Sequence, residues 1–140
     1  MDENEILEAL AENFFQGWDV APTGGGFLIT TDWVFPNNET IEVHVRRVGD
    51  RDDLFIVTDG GELINFLFSE GIDATRDPEC IGILEGIAQN RSLKIAEHQI
   101  VRGAKVEEIA GAVRVVLEAV KEASFSLWPR IKSKPGAPIH

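Results

Sequence analysis

The sequence predicts an α+β domain: a small, mostly antiparallel sheet, made of a three-stranded meander plus a short hairpin, packed with about four helices. Three observations predict it. Three strand-like runs follow one another with only short polar turns between them, as antiparallel neighbours do. Four segments repeat apolar residues at helical spacing. The chain has 140 residues with 44% apolar and 26% charged usage, enough for one core and too apolar for a disordered chain.

The first helical segment covers about residues 3–16, where Ile6, Leu7, Leu10, Phe14 and Phe15 share a face, Asp2 and Glu5 approximate a capping box and Gly17 is the stop. After the flexible Gly24-Gly25-Gly26, Phe27–Phe35 is aromatic and β-branched, with Trp33 expected on the inner face beside Ile29 and Thr31. Thr40–Val48 alternates strictly, Ile41, Val43 and Val45 inward and Glu42, His44 and Arg46 outward. Leu54–Val57 is continuously apolar, which suggests a central strand buried on both faces. Asp59 then caps a helix whose buried face is Leu63, Ile64, Phe66 and Leu67, and which Gly71 ends.

Asp77-Pro78 opens the next helix, with Pro at its first position and Ile81, Leu84, Ile87 and Ala88 as its stripe. Leu93–Ala96 and Ile100–Arg102 form a short hairpin around Glu97-His98-Gln99. The last helix runs from about Ala104 to Ala123, prolonged by Ser124–Trp128. The single domain is thus residues 1–128, and 129–140, with Pro129, Pro135 and Pro138, is a mobile basic tail.

The run Ile41-Glu42-Val43-His44-Val45, a polar turn, and Leu54-Phe55-Ile56-Val57-Thr58-Asp59-Gly60-Gly61 resembles a bacterial and phage family catalogued as domain of unknown function 1828. That family shows a strand, a turn, a second strand ending in Thr-Asp-Asp/Gly-Gly, and a helix. The similarity extends loosely over residues 18–120. It implies a compact α+β domain from phage or mobile elements, without an assigned activity and with no catalytic residues to carry over. Gly60 stands where the family has the second Asp of its usual pair, so no fixed acidic pair is implied.

Charge carries the functional information. The net charge is −11, but residues 1–70 hold 15 acids and 3 bases, all Arg, whereas residues 71–140 hold 9 acids and 10 bases. One half therefore carries the whole excess. Direct nucleic-acid binding needs clustered bases and is disfavoured. The expected role is a non-enzymatic acidic module that binds a basic protein partner, for instance a phage protein blocking a nucleic-acid-handling enzyme. Its expected contacts are Glu39, Glu42, Asp50, Asp52 and Asp53 in and beside two hairpin turns. Trp128 is a candidate interface aromatic, with packing against the last helix as its plainer role. Arg130, Lys132 and Lys134 are read as solvated.

The chemical motifs are weaker than their structural explanations. Asp59 and Glu62, joined by Glu42, offer oxygen ligands for a divalent ion, but a helix cap with two turn glycines already accounts for them. The element order also suggests a degenerate metal-dependent nuclease or hydrolase of restriction-endonuclease-like topology. That chemistry wants an acid and a lysine on the third strand, and the first lysine is Lys94. His44, His98 and His140 are scattered. Cys80, the only cysteine, rules out an intrachain disulfide and a Cys-based zinc site. No metal site and no cofactor is expected. A small-ligand pocket between sheet and helices, and a homodimer through a strand edge or the last helix, fit the same pattern. The acidic start lacks the features of a secretory signal, and no stretch approaches bilayer length, so a cytoplasmic protein is expected.

Overall fold

The computed structural model describes residues 18–49 and 53–133, with side chains described up to residue 129. The helix expected at 3–16 lies outside the described residues. The chain runs β1 (Asp19–Thr23), β2 (Gly26–Val34), β3 (Thr40–Arg47), β4 (Leu54–Thr58), α1 (Glu62–Ser69), α2 (Pro78–Asn90), β5 (Lys94–Ala96) and β6 (Gln99–Lys105). A 3₁₀ turn at Val106–Glu108 then leads into α3 (Ile109–Ser133). The six strands form one antiparallel sheet in the order β1-β2-β3-β4-β6-β5. The fold is α+β, with three α-helices among the described residues.

The alternation in β3 holds. Ile41, Val43 and Val45 are buried and Glu42 and His44 are half-exposed. The buried face of the sheet continues through Phe27 and Ile29 of β2, Phe55 and Val57 of β4, and Ile100 and Ala104 of β6. α3 lies across β3, β4 and β6 and fills that face with Ile109, Val113, Val116, Leu117, Val120 and Leu127. Each such side chain contributes roughly 1.5–3 kcal/mol of apolar burial. α2 packs on α3 and β5, and α1 on α3 and β6. Arg91, just after α2, pairs with Glu122 (2.7 Å) and Glu118 (3.7 Å) of α3.

Several expectations need correction. The glycines at 24–25 are the turn of a hairpin, not a flexible leader, because Asp19–Thr23 pairs with β2. β1 is a largely exposed edge strand that packs only Val20 against the core, and Pro22 is tolerated there. Gly26 is required in β2, since a Cβ there would stand 1.8 Å from the Val45 carbonyl oxygen. β4 is central but buried on one face only, with Leu54 and Ile56 half-exposed. The short hairpin is not a separate unit, because β6 pairs along all of β4.

Trp33 does face the core side with Ile29 and Thr31, under Lys121 of α3, but it is only partly buried. The register shifts between Thr30 and Val34, and the ring meets Trp18 edge-on at 6.3 Å. Trp128 stacks at 6.3 Å on Phe66 of α1 instead of packing solely on its own helix. The tail does not begin at Pro129: α3 continues through that proline to Ser133. The ring forfeits one bond to the Phe125 carbonyl, a tolerable loss near a helix end. Residues 134–140 lie outside the described residues.

Candidate functional site

The sequence Thr58-Asp59-Gly60-Gly61-Glu62 turns the chain from the end of β4 into α1. Asp59 is fully buried, and its carboxylate is the knot of the turn. Oδ1 accepts from the backbone N–H groups of Gly61 and Ile100, and Oδ2 from that of Leu63, all at 3.0 Å. The Asp59 N–H in turn donates to the Ile100 carbonyl at 3.2 Å. One side chain thus ties the start of α1 to β6. The N-cap residue by backbone geometry is Gly61 (φ 85°), not Asp59, so the capping carboxylate reaches in from two residues earlier. Burial pushes the Asp59 carboxyl above the usual carboxylate range, opposed by the three N–H groups and by His44.

Gly60 (φ 68°) sits against His44 of β3, and a Cβ at this glycine would lie 2.7 Å from the imidazole. Thr58 donates from its hydroxyl to Gln99 Oε1 at 2.9 Å and accepts from the Gly60 N–H at 3.1 Å. These bonds fix the turn against β6.

Glu62, the first residue of α1, is half-buried and comes close to β3. Its Oε2 is buried and has no hydrogen-bond partner. Burial first, then the charges of Glu42, Asp59 and Glu39, push its carboxyl up to about 7, while the Glu42 backbone N–H pulls it down. Glu42 is itself engaged by Thr30, whose hydroxyl donates to Oε2 at 3.2 Å. Four carboxyl groups from the β2–β3 turn, β3 and the start of α1 therefore share one end of the sheet.

Only part of the expected acidic surface comes together. Glu39 is exposed beside the start of β3, and Glu42 lies two residues into that strand. Asp53 is exposed beside the start of β4, at the other end of β3. The eight residues of β3 span about 26 Å, so the two turns face opposite ends of the sheet. Asp50 and Asp52 lie outside the described residues. Among the described residues no three His, Cys, Asp or Glu form a group that could hold a metal ion. Cys80 is buried, and His98 is exposed in the β5–β6 turn.

The sequence already sets Glu42 beside Asp59 and Glu62, but it gives no sign of the approach of His44 to Gly60. That approach depends on how a loop closes over a distant strand, which no local spacing encodes.

No family model matches the chain, and no curated protein or solved structure matches it at a significant level. Among the described residues no helix is long and apolar enough to cross a membrane.

Proposed function

We propose that the protein is a non-enzymatic, cytoplasmic binding module that engages a basic protein through the acidic end of its sheet, with Glu39, Glu42 and Glu62 as the principal contacts. The supporting observation is the Glu62 carboxyl, held near 7 by its burial and by three acidic neighbours. Such an arrangement gathers negative potential, which an incoming Lys or Arg would relieve. The resemblance to a phage-associated family suggests the partner's class: an enzyme that handles nucleic acid, whose basic groove the acidic end occupies in place of phosphates. Asp50, Asp52 and Asp53 would meet a second part of such a partner, at the far end of β3.

The test begins with capture of partners from the native host, identified by mass spectrometry, and continues with the purified pair. Association should slow steeply as salt rises, because exposed charges separated by more than about 10 Å are screened at 0.1 M. Glu39→Lys with Glu42→Lys should weaken binding at least tenfold. A partner whose affinity ignores both salt and these reversals would remove the proposal.

The alternative, a cryptic metal-dependent nuclease or hydrolase, draws less support. The oxygens of Asp59 are engaged by backbone N–H groups, and β4 supplies neither an acid nor a lysine. Mg²⁺-dependent cleavage of DNA or RNA, abolished by a folded Asp59→Asn protein, would reverse the order of the two readings.

A further inference from the structure

β5 is an edge of the sheet, and α2 packs alongside it. The β5–β6 turn holds two consecutive non-glycine residues at positive φ, Glu97 (52°) and His98 (64°), the backbone of a two-residue hairpin. Ala96 and Gln99 flank that turn as the hydrogen-bonded pair, so the next pair, Ile95 and Ile100, turns its main-chain groups outward. On the β6 side this is seen directly, because both main-chain groups of Ile100 bond to Asp59. The N–H and C=O of Ile95 therefore point to the edge that no described strand covers.

Two cavities adjoin this edge. One, of about 200 Å³, is floored by Ile81, Leu84 and Ile95, with His98 at its rim. The other, of about 280 Å³, is bounded by Ala88, Gln89, Leu93 and Lys94. Glu85 and Ile95 line both, so they stand between the two. α2 carries Glu79 and Glu85 and no Lys or Arg.

We infer that the groove between α2 and β5 binds an extended peptide segment of a partner protein, added antiparallel to β5, with the pattern apolar-x-Lys/Arg-x-apolar. The central residue pairs with Ile95 through both main-chain groups. Its side chain lies on the α2 side, the stem along Ile95 and the charge at Glu85. The residues two before and two after it fall on the same face and enter the two cavities. These five residues span about 13 Å, against about 12 Å for Ile81 to Gln89 along α2. Main-chain pairing supplies affinity and the cavities supply selection. One cavity also reaches Ile64 of α1, next to the turn that carries Glu62, but neither inference depends on the other.

The probe is the fluorescein-labelled peptide Thr-Ile-Thr-Lys-Thr-Ile-Thr, followed by anisotropy and by amide shifts of the ¹⁵N-labelled full chain. Shifts should centre on Ile95 and Ala88. N-methylation of the peptide's central amide should abolish binding. Glu85→Lys, at an exposed position, should weaken the Lys-centred peptide at least tenfold and favour a Glu-centred one. Gln89→Trp, also exposed, should block one cavity and weaken both peptides. The proposal is overturned by an absence of shifts at about 1 mM peptide, a weak affinity by any standard. Binding indifferent to N-methylation also overturns it. So does sedimentation showing a wild-type dimer that Glu85→Lys dissociates, since a second copy would then be the occupant.

Discussion

Asp59 stabilises the fold through what it accepts, and its charge is incidental to that role. Its two oxygens satisfy three backbone N–H groups, one of them on a strand 41 residues away. Asn in its place keeps the shape but offers one acceptor oxygen, and its NH₂ must face an N–H donor. Asp59→Asn should therefore lower stability by about 2–4 kcal/mol in urea unfolding, each buried donor left unpaired costing about 1–3 kcal/mol. Gly60 makes a second test at the same turn. Ala there suffers both the left-handed backbone and the collision with His44. Gly60→Ala should cost about 1–2 kcal/mol for the backbone alone, and more for the collision. Adding His44→Ala should restore the second part and leave the first. Equal losses in the presence and absence of the imidazole would show that the ring simply moves aside.

At the scale of the element, the start of α1 sets how the molecule responds to pH. A carboxyl raised from 4.5 to about 7 on folding means that the native state holds its proton more tightly than the unfolded chain. Stability from this group is then complete below about 4.5, and it is lost as pH rises to about 7. Because Glu62 is only half-buried, solvent screening reduces the effect to on the order of 1–2 kcal/mol. Glu62→Gln should match the wild type near pH 4 and exceed it by that amount at pH 8, measured by chemical denaturation at each pH. A pH profile unchanged by the substitution would place the carboxyl in water.

Elements were legible in the sequence where a local rule and a buried face agreed. β3 shows its alternation because one of its faces meets α3, and α2 announces itself through Asp77 and Pro78. The Asp77 carboxylate does accept from the N–H groups of Glu79 and Cys80. β1 was not legible, because this edge strand turns only Val20 to the core and one inward residue makes no pattern. The run of α3 past Pro129 was hidden by a residue that usually stops a helix. The acidic site was half legible. Glu39 and Glu42 could be picked out by charge, but only the closing of the turn at Gly60 and Gly61 brings Glu62 beside them.

For the whole molecule, the charge asymmetry gains a location. Among the described residues the acids of the first half do not form one patch, since Glu39 and Asp53 lie at opposite ends of β3. At the Glu39–Glu42 end the Glu62 carboxyl joins from α1, and burial and its acidic neighbours push it up to about 7. Binding of a basic partner at this end must therefore expel the Glu62 proton, and affinity should follow pH with a predictable sign. Below about 7 the protonated carboxyl gives the partner nothing to pair with; above it the full charge is present. Affinity for the captured partner should fall by up to about tenfold between pH 7 and pH 6, the limit for release of one proton. Between pH 7.5 and pH 8.5 it should change little. Calorimetry in two buffers of different ionisation enthalpy should detect the released proton at pH 6.5, and Glu62→Gln should abolish it. A proton count of zero in the wild-type complex would mean that the partner docks elsewhere on the surface, whatever its own charge.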